Sequence, residues 1–175
     1  MSAPRESWRH CPRCGAPLAP RALGGRERPA CACGLVDWAN PVPAAAVMLL
    51  RGAAPSWELL WVRRAHAPKL GLWSLPSGFQ EWEEDIADCA RRELAEETGL
   101  AAPLGPLVGV YSAFDDPRHN ALLVVYRAEF AGGEARAGDD ADAIAWHPLA
   151  APPAIAWDSH RRALADLRAQ LGALD

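Results

Sequence analysis

The sequence contains no apolar run near the roughly 20 residues a membrane-spanning helix needs, so no membrane partner is expected. Its opening stretch, MSAPRESWRHCPRCG, carries none of the apolar core of a secretory leader, which makes a cytoplasmic location the expectation. Positive charge is not in excess: 18 Lys and Arg stand against 22 Asp and Glu, a formal charge of −4. That balance argues against a broad basic surface and against duplex DNA as a partner. Lysine is almost missing, since every basic residue except Lys69 is Arg. With the heavy use of Ala, this bias reflects a GC-rich coding sequence and says little about function. There is no internal repeat, and the only biased tract is an Ala/Pro-rich bend at residues 148–154.

The 175 residues, half of them hydrophobic and 23% charged, suit one packed domain with a small appendage. Four of the five cysteines, Cys11, Cys14, Cys31 and Cys33, lie in a Cys-, Pro-, Gly- and Arg-rich zone that shows neither helical nor strand period. Such a zone cannot close a core by itself and needs a staple. Residues 37–43, with Pro41 and Pro43, read as a linker or turn. Beyond them, Ala44–Leu50 and Glu58–Val62 suggest a strand pair, and Leu107–Tyr111, Ala121–Phe130 and Ile144–His147 suggest three more strands. Helices are expected over Asp85–Glu97, closed by Gly99, and from Asp158 or Ser159 to Gly172. Strands outnumber helices without regular alternation, so the class is mixed α and β rather than a doubly wound parallel sheet.

The segment from Gly78 to Leu100 is the most informative. On a helix Glu93, Glu96 and Glu97 stand at i, i+3 and i+4, so their carboxylates share one face. Like charges so placed destabilise a helix by a few tenths of a kcal/mol per pair. The plain reading is a solvated acidic face. The chemical one is a cation site, and oxygen-only ligands favour Mg²⁺ or Mn²⁺. Ile86, Ala90 and Leu94 form a narrow apolar stripe, with Ala87 beside it, that would seat the helix on a sheet. Glu84 and Arg92 are spaced to pair across the preceding loop, and Cys89 reads as a small buried hydrophobe.

This segment resembles the Nudix box, G-x5-E-x7-R-E-U-x-E-E-x-G-U with U a bulky aliphatic. Gly78, Glu84, Arg92, Glu93, Leu94, Glu96, Glu97, Gly99 and Leu100 fill its defined positions in register. The resemblance implies a Nudix domain over residues 40–175, an α/β/α sandwich around a mixed sheet. It also implies hydrolysis of a nucleoside diphosphate linked to another moiety. Carried over by position, Glu93 and Glu97 are the expected Mg²⁺ or Mn²⁺ ligands, Glu96 contributes, and the Gly78 carbonyl completes the shell. In some members the residue matching Glu93 acts as the base instead. Arg92 is expected to orient Glu93, and Glu84 to hold Arg92. For a further acid used as base or ligand the candidates are Glu129, Glu134, Asp139, Asp140 and Asp142, with Asp140 preferred; a plain surface acid is the competing reading for each. Ser77, where the family often has Gly, and Glu83 in the loop depart from common usage and bear on loop shape.

Cys11-Pro12-Arg13-Cys14 resembles a zinc-ribbon knuckle, and Cys31-Ala32-Cys33 would be its partner, although C-x-C stands where C-x2-C is usual. Residues 1–39 are therefore expected to form a ribbon around a structural Zn²⁺, with unligated thiols or, less favoured, disulfides as the alternatives and His10 as a substitute ligand. A ribbon ahead of a Nudix domain resembles NADH pyrophosphatases and related hydrolases, but residues 101–112 lack the S-Q-P-W-P-F-P-x-S signature of NADH-specific members. A nucleotide-CoA signature is also missing. ADP-ribose or a related nucleotide sugar is then the expected small-molecule substrate. The rivals are NAD(H) or NAD-capped RNA, with the ribbon supporting a homodimer or RNA contact, and a non-catalytic nucleotide-sensing regulator. Substrate contacts are expected from Arg63, Arg64 and His160, with His66 nearby. The loop Phe114–Asn120 either rims the pocket or simply joins two strands. Trp73 and Trp82 are expected in core or lid packing, with stacking on a base as the alternative.

Overall fold

A computed structural model describes residues 8–138 and 140–172. The N-terminal zone does contain strands: β1 (Ala19–Leu23) and β2 (Arg26–Ala30) form an antiparallel hairpin apart from the main sheet. Its two-residue turn is Gly24-Gly25, with φ of 58° and 76°, as a tight hairpin with the native twist demands. The strands escape detection from hydrophobic period because they bury almost nothing.

The main sheet has seven strands: β3 (Val42–Arg51), β4 (Glu58–Arg64), β5 (Trp73–Ser74), β6 (Ser77–Phe79), β7 (Leu104–Ala113), β8 (Ala121–Glu129) and β9 (Ala141–Pro148). The order is β5-β4-β3-β8-β7, with β6 on β3 and β9 on β4. Strands β3 and β8 pair in parallel while their other strand neighbours are antiparallel, so the sheet is mixed. Helices α1 (Ile86–Thr98) and α2 (Asp158–Gly172) cover opposite faces. Strand β3 shows why its sequence is apolar throughout. Ala44, Ala46, Met48 and Leu50 pack with Ala163, Leu164 and Leu167 of α2, while Ala45, Val47 and Leu49 pack with Cys89, Ala90 and Leu94 of α1. Alternate side chains of a strand serve opposite layers, and each fully buried aliphatic contributes roughly 1.5–3 kcal/mol.

Helix α1 starts where Asp85 caps it, accepting from the Ala87 amide at 2.9 Å, and ends at Gly99, whose φ of 69° allows its N–H to reach the Ala95 carbonyl. Its inner face buries Cys89, Ala90 and Leu94, two of them small enough to let the helix lie close to β3. Its outer face carries the acids. Strand β6 pairs Gly78 with Ala45 and so holds the loop ahead of the helix against the sheet centre. The tryptophans part company with expectation. Trp73 packs at the edge of the α2-side core, but Trp82 is 98% exposed and covers nothing. It sits in the turn before Asp85, on the solvent side of a loop whose other side faces the helix.

Candidate active site

Arg92 is the hub of the site. Its guanidinium forks onto Glu84, Nε to Oε1 at 2.8 Å and Nη2 to Oε2 at 2.9 Å. Nη1 donates to Glu93 Oε1 at 2.6 Å and Glu96 Oε2 at 3.0 Å, and Nη2 also donates to the Phe79 carbonyl at 2.9 Å. Bidentate Arg–carboxylate pairs of this kind fix geometry as well as charge. The hydrogen bonds from Arg92 hold the Glu84 carboxyl down at about 2, and the surrounding acids raise Arg92 beyond its ordinary range.

Glu97 has a different environment. Among the described residues its carboxylate accepts one hydrogen bond, from the Ser77 amide at 3.1 Å. Burial pushes its carboxyl up to about 8, and the nearby Glu93 and Asp140 add to the shift. Burial also raises Glu93, although Arg92 offsets part of the effect. The backbone makes room for these acids: a Cβ on Gly78 would lie 2.1 Å from Glu93 Oε1. Two half-buried carboxylates converge on a carbonyl-bearing glycine, and one of them, Glu97, forms no ion pair among the described residues, with Arg64 acting on it only from a distance. Such an oxygen donor set with surplus negative charge fits a hard divalent cation.

These groups open onto a cavity of about 640 Å³. Gly78, Glu93 and Glu97 line one wall, while Arg64, His66, Asp140 and His160 line others. Glu96 is not among the lining residues; its carboxylate stays at the rim on Arg92. Asp140 reaches the cavity because the preceding loop is laid on the end of α1. Gly138 N–H donates to the Glu97 carbonyl at 3.2 Å, and a Cβ on Gly138 would stand 2.2 Å from the Glu96 carbonyl oxygen. Of the other acids considered, Glu129 pairs with Arg127, Glu134 with Arg136 and Asp142 with Arg63, all outside the cavity, and Asp139 lies outside the described residues.

The two adjacent arginines separate. Arg64 faces the cavity, donates to the Pro68 carbonyl at 2.9 Å and stacks 5.0 Å from the Trp157 ring. Arg63 turns to the opposite face of β4, where it bonds Asp142 at 2.7 Å and lies over Trp73, so it does not line the cavity. Strand alternation permits only one of such a pair to face a given side. His160 is buried at the start of α2. Its Nδ1 accepts from the Leu75 amide at 3.1 Å, which leaves Nε2 as the protonated nitrogen of the neutral ring. Burial, with Arg64 and Arg161 nearby, depresses its pKa to about 3.

The loop between β7 and β8 does both things considered for it: it joins the strands and supplies Asp115, Asp116, Arg118 and His119 to the wall. Asp116 grips Arg118 through both carboxylate oxygens, and His119 packs edge-on to Phe79 at 4.8 Å. Trp157 and Phe79 were not foreseen in the wall. A Trp just ahead of a helix cap, with Arg and Lys elsewhere to cover it, was the available signal for the first.

In the ribbon, the four Sγ atoms of Cys11, Cys14, Cys31 and Cys33 lie within 4.8 Å of one another, with Cys11–Cys33 at 3.6 Å and Cys14–Cys31 at 3.5 Å. A tetrahedral Zn–S₄ site with bonds of about 2.3 Å needs edges of about 3.8 Å, whereas a disulfide is far shorter. The thiols are free, and two knuckle turns, Gly15 N–H to Cys11 O and Gly34 N–H to Cys31 O, aim them together. The C-x-C pair thus brings its sulfurs into the same cluster as the C-x2-C pair. Cys11 is drawn down to about 7, burial being outweighed by the amides of Arg13 and Cys14, while Cys31 rises to about 12, its neighbouring thiols and burial outweighing the Cys33 amide. Thiols at this range lose their protons in sequence. His10 is exposed and outside the cluster.

The chain belongs to the NUDIX domain family, whose pattern matches residues 40–167. It is 37% identical over 110 residues to an ADP-ribose pyrophosphatase of Methanocaldococcus jannaschii, covering 62% of this chain and 64% of that protein. It is 34% identical over 155 residues to the NAD-capped RNA hydrolase NudC of Chromobacterium violaceum, covering 85% of this chain and 53% of that one. The chain thus spans between about half and two thirds of the length of these relatives. The fold recurs in a NUDIX hydrolase from Nitrosomonas europaea, with a TM-score of 0.75 at 24% identity over 94% of this chain and 91% of that one. Among the described residues no helix is long and apolar enough to cross a membrane.

Proposed function

We propose that this chain is a Mg²⁺- or Mn²⁺-dependent pyrophosphohydrolase acting on ADP-ribose or a related nucleotide sugar. The observation that carries the reading is the pairing of Glu93 and Glu97 around Gly78, in a cavity whose other walls bring Arg64 and Arg118. Glu93, Glu97 and the Gly78 carbonyl would hold the cation, which when bound neutralises pyrophosphate oxygens and makes water a better nucleophile. Arg92, locked by Glu84, fixes the orientation of Glu93. Arg64 and Arg118 offer planar donors to the phosphates. Asp140 stands across the cavity as the proton acceptor for the attacking water. The His160 imidazole, with its tautomer set by the Leu75 amide, donates from Nε2. The identity to an ADP-ribose pyrophosphatase supports this substrate class.

The second reading, an NAD-capped RNA substrate, draws support from the NudC match, which is too long to be confined to the C-terminal domain. The test is phosphate release, after phosphatase coupling, from ADP-ribose, NAD⁺, NADH, nucleotide sugars and dNTPs, each with Mg²⁺ and with Mn²⁺. Metal-dependent turnover that favours ADP-ribose is expected, and Glu97→Gln is expected to reduce it about 100-fold or more with folding intact. A folded, zinc-loaded protein that turns over nothing sinks the reading and favours a nucleotide-sensing regulator.

A further inference from the structure

The arginines of the ribbon are distributed unlike those of the sheet domain. In the domain most sit on acids: Arg51 on Glu58, Arg91 on Asp88, Arg118 on Asp116 and Arg162 on Asp158. In the ribbon, among the described residues, none of Arg9, Arg13, Arg21, Arg26 and Arg28 has an acidic partner. The hairpin register sharpens the contrast. Arg21 is directly opposite Arg28 and Leu23 is opposite Arg26, while Glu27 pairs with Ala22. Because alternate residues share a face, Arg21, Arg26 and Arg28 stand together on one face and Glu27 on the other. Like charges directly opposite destabilise a strand pair, and among the described residues this sheet has no third strand to offset the cost.

Trp38 extends the same patch. Arg28 donates from Nη1 to the Trp38 carbonyl at 2.7 Å, with its guanidinium 5.0 Å from the indole centre. Arg28 Nε is buried without an acceptor, and Trp38 remains 53% exposed. The hairpin tip is removed from the thiolates. Arg26 lies five residues from Cys31 along β2, roughly 16 Å of strand, twice the screening length of about 8 Å. The patch is also tethered beside the cavity. The chain passes from Trp38 into β3, where Ala44 lines the cavity and Pro43 accepts from the Gln80 amide. Six Cα–Cα steps keep Trp38 within about 23 Å of Ala44.

We propose that Arg21, Arg26, Arg28 and Trp38 form a docking face for single-stranded RNA whose 5′ end carries the dinucleotide pyrophosphate held in the cavity. The inference rests on the second reading above, in which the substrate is an NAD-capped RNA. Arginines spaced along a strand pair match successive phosphates, and a half-exposed indole offers a base its stacking partner. An acidic peptide has no use for the indole. A bilayer requires exposed aliphatics, and this face offers Leu23 alone. A basic, aromatic patch of this size on an acidic chain is selective for a strand presented by its own reacting end, which is compatible with the unfavourable net charge.

The test compares the wild-type protein with Arg21→Ala/Arg26→Ala and Arg21→Lys/Arg26→Lys, each verified to carry equal zinc. Two substrates are used: free NAD⁺ and a 12-nucleotide RNA bearing a 5′ NAD. The alanine pair is expected to lower kcat/KM on the capped RNA at least about fivefold and to make its log–log salt slope shallower by about 1.4, near 0.7 per lost phosphate contact. Turnover of free NAD⁺ is expected to be unchanged, and the lysine pair to recover most of the loss. Equal effects on both substrates, or none on either, overturn the docking face. Binding of the same RNA with a plain 5′ phosphate, read by fluorescence anisotropy, separates docking from catalysis. Arginine-dependent binding without turnover of the capped RNA upholds the face and rejects the NAD-capped RNA reading. Arginine-dependent binding of phosphatidylserine vesicles with no binding of RNA overturns the face.

Discussion

At the scale of single residues, the site depends on atoms that are missing as much as on those present. Gly78 leaves space that Glu93 fills, and Gly78→Ala sets a methyl group into that carboxylate. Turnover is expected to fall about 100-fold or more, with a far-UV spectrum unchanged, as measured on the metal-loaded protein. His160 makes a prediction about acid. Its folded pKa of about 3 lies below the ordinary value near 6.5. The unfolded chain therefore takes up a proton that the folded protein refuses, and stability is lost as pH falls from about 6.5 toward 3. At the foot of that window the wild type is expected to have lost on the order of 4 kcal/mol more than His160→Gln. Denaturant melts of both proteins across the range measure it, and parallel profiles would show that the ring titrates normally. The N-terminal end of α2 works in the same direction, since its dipole disfavours an imidazolium there.

At the scale of elements, local patterning made the boxed segment legible because its loop and helix are contiguous: caps, apolar stripe and acidic face all lie within one stretch from Gly78 to Leu100. The Glu84–Arg92 pair follows from the same spacing. What was not legible depends on partners far along the chain. Strands β5 and β6 have two and three residues and exist only because β4 and β3 hold them. Arg63 and Arg64 look equivalent as a dipeptide, and only the strand's alternation tells the wall residue from the outer one. The β1–β2 hairpin has no apolar face to announce it. Two predictions belong here. Gly138→Ala forces the Asp140 loop off the end of α1, since its new methyl group meets the Glu96 carbonyl. It is expected to lower kcat about tenfold or more while the melting temperature moves by only a few degrees. Removing zinc with a chelator, or replacing Cys33 with Ser, is expected to unfold the ribbon. Structural zinc binding is worth roughly 10 kcal/mol in such small units, and the ribbon has little core of its own. Zinc content near one per chain in the wild type, and proteolytic loss of residues ahead of β3 in the variant, are the readouts. A ribbon that resists protease without metal would count against the assigned role of the thiols.

At the scale of the whole molecule, the two parts are held by different physics. One gathers four thiols at a point and buries little; the other packs two helices on a mixed sheet and buries most of its aliphatic side chains. The parallel pairing of β3 with β8 gives this division an order in time. Val42 meets Ala121, about eighty residues further on, and non-local pairings of that kind are slow to close. The four thiols, by contrast, fall within 23 residues of one another, ahead of the sheet in the chain. During synthesis the ribbon has its complete ligand set while β3 still waits, apolar on both sides, for the strand that will lie beside it. Were the thiols to hold zinc, metal supply would decide the state of this segment before the sheet domain closes, and a cell short of zinc would make a folded cavity behind an unfolded ribbon.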